Sequence, residues 1–107
     1  MKRIEFLGTS RADLQDFPAA VRVRLGHELY LVQEGDEPSD FKPMPMIGPG
    51  TYEIRVRNEA GAFRIAYVAK FRSTIYVLHA FQKKTQKTAS SDIELARQRY
   101  RSIKEMT

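Results

Sequence analysis

Hydrophobic and polar residues alternate at the start of the chain and again in its second half. In the stretch from Lys2 to Leu7, Ile4 and Phe6 share one face, and this two-residue period is typical of a strand. Three further runs have the composition of strands, and only short turns separate them. The pattern predicts an antiparallel meander formed by Tyr52 to Arg57, Phe63 to Lys70 and Thr74 to Phe81.

A helical period occupies the region between the first strand and this meander. Ser10 with Asp13 three residues later resembles a capping box, which predicts a short helix ending near Phe17. A second helix is predicted from Pro18 to Glu34, because apolar residues recur there at spacings of four, four and three. Its apolar stripe consists of Val21, Leu25, Leu29 and Val32.

The last predicted element is also a helix. It opens at Ser91, with Glu94 in the third position of a capping box. Its apolar stripe consists of Ile93, Ala96, Tyr100 and Ile103. Residues 35–50 contain four prolines and three glycines, so we expect a surface connection without regular structure there.

This order of elements predicts an α+β fold with the arrangement β-α-α-β-β-β-α. We expect a four-stranded, mostly antiparallel sheet that the helices cover on one face. The length of 107 residues fits a single domain, residues 1–107, with one hydrophobic core.

Composition removes several classes of function. The chain has no cysteine, which excludes disulfides, thiolate zinc sites and a cysteine nucleophile. Its two histidines disfavour a structural zinc site. No apolar run approaches the ~18 to 20 residues that span a bilayer, so we predict a cytoplasmic protein without a membrane partner. Phosphate-cradling glycine loops and Ser-His-Asp sets are also missing from the sequence, and we expect neither a metal nor another cofactor.

The net charge of +5 is concentrated in one segment. Residues 51–87 hold eight Lys or Arg against two Asp or Glu, a balance of +6, whereas residues 1–50 have six against eight, or −2. Such a local excess predicts a polyanionic partner or an acidic protein surface.

The basic residues of this segment follow the strand pattern. On the first strand of the meander, Arg55 and Arg57 share one face, and Arg64 begins the next strand. Lys83, Lys84 and Lys87 follow the last strand, so hairpin pairing would bring the cations into one cleft. Guanidinium groups bind two phosphate oxygens at once and stabilise the extra charge of a pentacovalent transition state.

Each of these residues also has an ordinary structural interpretation. Cations on an exposed strand face are solvated and discourage edge pairing. His79 is able to transfer protons near neutral pH, but alternation places it with Ile75 and Val77, which favours a packed histidine. Aromatic residues of the strands can stack on bases, yet most such residues in strands belong to cores.

The chemistry that suits a cationic cleft is transphosphorylation within RNA, in which a 2′-hydroxyl attacks the adjacent phosphate. A lysine among other cations has a lowered pKa and can act as the base while arginines hold the phosphate. The sequence alone leaves the choice between this reaction and simple polyanion binding open.

The second half of the chain resembles the RelE/ParE toxin superfamily, and in particular its phage-derived, HigB-like branch. The matching motifs are Tyr52-Glu53-Ile54-Arg55, Phe63-Arg64-Ile65-Ala66-Tyr67, Val77-Leu78-His79-Ala80-Phe81, Lys83-Lys84-Thr85-Gln86-Lys87-Thr88 and the segment from Glu94 to Arg99. The chain departs from the branch at Phe63, often tyrosine there, and at Ala89, often proline.

The resemblance implies a RelE-like fold and a toxin of a type II toxin–antitoxin pair, held inactive by a cognate antitoxin, a small protein expected to have a helix-turn-helix. Many such toxins cleave mRNA on the ribosome without metal. By position, Arg55, Arg64, Lys83 and Lys84 then match catalytic residues. Arg57, Gln86, Lys87 and His79 are the corresponding candidates for binding RNA or phosphate.

Two other outcomes remain open at this point. The ParE branch uses the same fold to inhibit DNA gyrase without nuclease chemistry, and a phage-derived chain can also be an inactive relic. Fold membership does not choose among these three alternatives.

Overall fold

The computed structural model describes the backbone of residues 1–106 and the side chains of residues 1–103. Strand β1 and two helices come first, the short strand β2 and a three-stranded meander follow, and helix α3 comes last. The bounds are β1 Arg3–Phe6, α1 Ser10–Gln15, α2 Ala19–Gln33, β2 Phe41–Pro43, β3 Thr51–Asn58, β4 Gly61–Val68, β5 Thr74–Lys83 and α3 Ser90–Met106. Of these helices, none is long and apolar enough to cross a membrane.

The sheet is mixed and has five strands in the order β1-β5-β4-β3-β2, with β1 parallel to β5 and all other pairs antiparallel. The predicted meander is confirmed. The predicted number of four strands is wrong, because β2 lies within the segment 35–50 that was expected to lack regular structure. Phe41 pairs with Ile54 and Pro43 with Tyr52 at the edge of the sheet, where a proline without an N–H is tolerated.

Helices cover both faces of the sheet, so the prediction that they cover only one is also wrong. The stripe of α2 packs on the face that carries Phe63 and Ile65, and α3 packs on the opposite face, which carries Ala66 and Val68. The physical reason lies in β4, whose residues 62–68 are all buried. A continuous buried run of this kind is typical of a strand covered on both sides.

The predicted capping box of α1 is wrong as well. Thr9, not Ser10, is the N-cap residue, and the Thr9 hydroxyl donates to the Asp13 carboxylate at 2.8 Å. Ser10 is fully buried and its hydroxyl donates to the carbonyl of Val77 at 3.3 Å. The serine therefore ties α1 to β5 instead of capping the helix.

Candidate active site

The register of the meander brings the basic side chains together. Arg55 of β3 lies directly opposite Arg64 of β4, and Arg64 lies opposite Phe81 of β5. In the next row, Arg57 is opposite Ala62, which is opposite Lys83. Paired residues point to the same face of a sheet, so all these cations share the face that α3 covers further along.

A tight turn between β3 and β4 sets this register. Asn58 pairs with Gly61 across two turn residues, and the Ala60 N–H donates to the Asn58 side-chain oxygen at 2.8 Å. Gly61 has φ +130°, and a Cβ there would lie 2.6 Å from the Gln82 amide nitrogen. The backbone conformation of the turn therefore favours glycine, whereas a Cβ there would only require the end of the Gln82 side chain to move.

These residues line an open cavity of about 640 Å³, which we call the cationic cavity. Within the part of the chain that the structure describes, no carboxylate lines it. The convergence expected from hairpin pairing is therefore present for five of the six cations, whereas Lys87 lines a neighbouring cavity. Its lining residues are Arg55, Arg57, Gly61, Ala62, Arg64, Lys83, Lys84, Thr85 and Gln86.

A buried carboxylate lies beside this cavity, on the same face of the sheet, where Glu53 pairs with Ala66. Glu53 is 0% exposed and Arg64 is 3% exposed, and Arg64 Nε lies 3.4 Å from Glu53 Oε1. The other Glu53 oxygen accepts a hydrogen bond from Thr88 at 3.1 Å, and Arg64 Nη1 donates to the Phe63 carbonyl at 3.0 Å. Burial lowers the pKa of Arg64, while the negative charge of Glu53 raises it again.

Lys83 lines this cavity and has a lowered pKa. Burial lowers its pKa, and the charges of Arg64, Lys42 and Arg55 lower it further, against an opposing effect of Glu53. A lowered pKa gives the lysine a larger fraction of neutral amine at a given pH, so it becomes a better proton acceptor. Lys84 is exposed, and its ammonium group donates to the Gln82 side chain at 3.2 Å.

His79 does not line the cationic cavity, and the alternation argument placed it on the wrong face. A β-bulge shifts the pairing, so that Tyr67 lies opposite Val77 but Ala66 lies opposite His79. His79 thereby faces α3, where its Nε2 lies 2.7 Å from Asp92 Oδ1 and its ring stacks on Phe81 at 4.7 Å. The histidine is only 6% exposed and packs between the sheet and the first turn of α3.

The remaining predicted residues lie on the segment between β5 and α3. Gln86 lines the cationic cavity, whereas Lys87 lines a neighbouring one, which Gln86 also borders. Thr88 bound to Glu53 and Asp92 bound to His79 attach the end of this segment to the sheet. These two contacts fix the end of the segment that carries Lys84 and Gln86.

Sequence reasoning missed Glu53, Thr88 and Asp92 as parts of the site. Glu53 had a detectable signal, because it shares the two-residue period with Arg55 and Arg57 and is one of only two acids in residues 51–87. Thr88 and Asp92 carried no comparable signal, since their contacts depend on how the segment after β5 folds back.

The mixed sheet and its cationic face are compatible with a RelE-like α+β fold. The family model described as phage-derived protein Gp49-like (DUF891) matches residues 12–101, which include every residue that lines the cationic cavity. The chain therefore belongs to the Gp49-like family of phage-derived proteins, a RelE-like toxin family of toxin–antitoxin systems. A search of curated proteins found no significant match.

The buried pair of Glu53 and Arg64 gives a first prediction. Glu53→Gln should lower the free energy of unfolding by about 3 kcal/mol, because Arg64 loses its counter-charge in a buried position. Replacing both residues by methionine should recover at least half of this loss. Urea unfolding of the three proteins measures the effect, and Glu59→Gln, an exposed acid on the adjacent turn, is the control. An unchanged midpoint in Glu53→Gln would show that the pair contributes nothing to stability.

The lowered pKa of Lys83 gives a second prediction. Lys42→Ala removes a repulsive charge, so the pKa of Lys83 should rise toward its ordinary value and the neutral amine fraction at a fixed pH should fall. A pH titration of the methylated lysine side chains by NMR measures this midpoint. Arg72→Ala is the matched control, because Arg72 lies in the turn between β4 and β5, at the opposite end of the strands. A Lys83 midpoint that stays constant in Lys42→Ala would contradict the electrostatic account.

Proposed function

We propose that this protein is the toxin of a type II toxin–antitoxin system, of the HigB-like kind, and that it cleaves mRNA on the ribosome. The observation that carries the proposal is the cationic cavity, with five Lys or Arg side chains and no carboxylate among its described lining residues. An open cavity of this charge suits a phosphodiester backbone, and membership of a RelE-like toxin family favours RNA over other polyanions.

The proposed reaction is a transphosphorylation. The 2′-oxygen attacks the adjacent phosphorus, the bond between phosphorus and the 5′-oxygen breaks, and a 2′,3′-cyclic phosphate and a free 5′-hydroxyl form. Arg55, Arg57 and Arg64 bind the non-bridging oxygens, whose negative charge increases in the transition state. Arg64 is the most rigid of the three, because the sheet buries it against Glu53.

Two protons must move in this reaction. Neutral Lys83 accepts the proton of the attacking 2′-hydroxyl, and a neighbouring ammonium group, that of Lys84, gives a proton to the leaving 5′-oxygen. Lys83 suits the first role because its pKa is lowered. Gln86 and Lys87 bind the RNA beside the scissile phosphate, and His79 supports the site from behind through Asp92.

The proposed mechanism uses no metal ion, for an electrostatic reason. Five cations lining one cavity repel a divalent cation and already supply the positive charge that a metal would bring to the phosphate. In the cell, the proposal places the protein in the cytoplasm, with a cognate antitoxin as the partner that holds it inactive. The family supports such a partner, while mRNA and the ribosome belong to the proposal.

The exposed cations of the cavity give the test of this function. Arg57→Ala and Lys84→Ala should each lower the rate of mRNA cleavage at least tenfold without loss of stability, because both side chains are exposed and line the cavity. Induction of each variant, followed by mapping of mRNA 5′ ends and a growth assay, measures the effect. Arg72→Ala is the control, since it removes an exposed charge of the same basic segment outside the cavity.

Three results would reject the proposed nuclease. One is full cleavage by the double variant Arg57→Ala/Lys84→Ala. Another is growth arrest with intact messages and accumulated gyrase–DNA complexes, which would identify a gyrase inhibitor on the same fold. The third is normal growth on induction of the unaltered protein, which would identify an inactive relic.

A further inference from the structure

A second cavity of about 320 Å³ borders the cationic cavity, and Gln86 lines both. We call it the methionine pocket, because Met44 and Met46 form much of its apolar wall together with Ile93. Lys42, Lys87, Gln86 and Thr88 supply its polar groups. The cavity thus combines an apolar interior with cations at its border.

The backbone of this pocket is held in place on several sides. Met44 is 1% exposed, and its N–H donates to the Thr51 carbonyl at 2.9 Å. The carbonyl of Met46 accepts hydrogen bonds from Arg97 of α3, from Nε at 3.0 Å and from Nη2 at 2.6 Å. The Met46 side chain nevertheless remains 47% exposed, although it is a large apolar group on a well-anchored loop. The Met46 side chain thus lines the pocket with about half of its surface accessible to solvent or to a ligand.

The chemistry of the wall indicates what kind of ligand fits. Methionine sulfur makes favourable contacts with aromatic rings and adapts its shape to them. Lys42, Lys87 and the Gln86 amide carry hydrogen-bond donor groups at the border, whereas the Thr88 hydroxyl already donates to Glu53. A nucleobase has flat apolar faces and an edge rich in acceptors, and lysine and glutamine are common donors to such edges.

We propose that the methionine pocket binds the base of a nucleotide whose adjoining phosphate occupies the cationic cavity. This proposal rests on the proposed function, because it requires RNA in the cationic cavity. The shared residue Gln86 places the two cavities side by side, as the phosphate and base of neighbouring positions in one strand require. Phosphate contacts position a nucleic acid and base contacts specify its sequence, so the methionine pocket is the element that selects where the message is cut.

The binding test uses the whole protein and dinucleotides that it cannot cleave, because the attacking 2′-hydroxyl is replaced by hydrogen. The chain has four methionines, so methyl-labelled methionine gives few and separable NMR signals, with Met1 as an internal reference. The methyl signals of Met44 and Met46 should shift with a complete dinucleotide and remain in place with an abasic analogue, which lacks both bases. The side-chain Nε signals of Arg55 and Arg64 should shift with both ligands.

The outcomes separate this inference from the proposed function. Shifts of the arginine signals without any base-dependent shift of Met44 or Met46 would overturn the inference and leave the nuclease proposal standing. Absence of shifts at the arginines and the methionines alike would overturn both. Base-dependent methionine shifts together with arginine shifts support both.

A variant then tests the effect on affinity and on specificity. Met46→Ala should weaken binding of the complete dinucleotide by about threefold to tenfold and leave the affinity of the abasic analogue unchanged. In cells, it should change the distribution of cleaved codons, whereas Arg57→Ala lowers cleavage at all codons alike. Val23→Ala, which trims another exposed apolar side chain on α2, is the matched control. An unchanged codon distribution and unchanged affinity in Met46→Ala would reject the assignment.

Discussion

The ion pair between the buried carboxylate of Glu53 and Arg64 is the interaction on which the arrangement of the site depends. Arg55 and Arg64 lie directly opposite each other on neighbouring strands, and like charges in such positions repel. Glu53 is fully buried two residues before Arg55 and lies 3.4 Å from Arg64, so its negative charge compensates this repulsion. Glu53 does not line the cationic cavity, so the charges of the described lining residues stay positive.

The same carboxylate connects the sheet with the segment that follows it. Its second oxygen accepts a hydrogen bond from Thr88, and a few residues later Asp92 contacts His79. These two contacts attach the end of the segment that carries Lys84 and Gln86, and neither uses a residue that lines the cationic cavity. The buried Glu53 is thus paired with Arg64, whereas Arg57 and Lys84 stay exposed at the cavity, where a polyanion can bind. Asp40 adds little to this balance, since it lies 3.9 Å from Arg55 and is largely exposed.

Much of this architecture follows from local patterns in the sequence. The apolar stripe of α2 and the shared face of Arg55 and Arg57 follow directly from the helical and strand periods, and both are present. Family resemblance and the charge balance of residues 51–87 pointed to the same group of cations. At the level of the family, the resemblance to RelE-like toxins is confirmed, whereas the HigB-like branch and the catalytic roles stay predictions.

The errors arose where local patterns do not determine structure. One bulged residue, Leu78, lies opposite no partner of its own and shifts His79 to the other face, which strict alternation cannot anticipate. Strand β2 has three residues and a proline, so its pairing with β3 depends on the neighbouring strand and not on its own propensity. Arg64 interrupts the apolar residues of β4, so its sequence does not show the continuous apolar run that indicates a strand covered on both faces.

The most direct test of the proposed chemistry uses a purified translation system and a message in which single nucleotides carry 2′-hydrogen in place of the 2′-hydroxyl. The account predicts that the unmodified message is cut to fragments ending in a 2′,3′-cyclic phosphate and beginning with a 5′-hydroxyl. It also predicts that a single 2′-deoxy nucleotide on the 5′ side of the scissile bond abolishes the cut at that position. Continued cutting at the deoxy position, or fragments that begin with a 5′-phosphate, would contradict it.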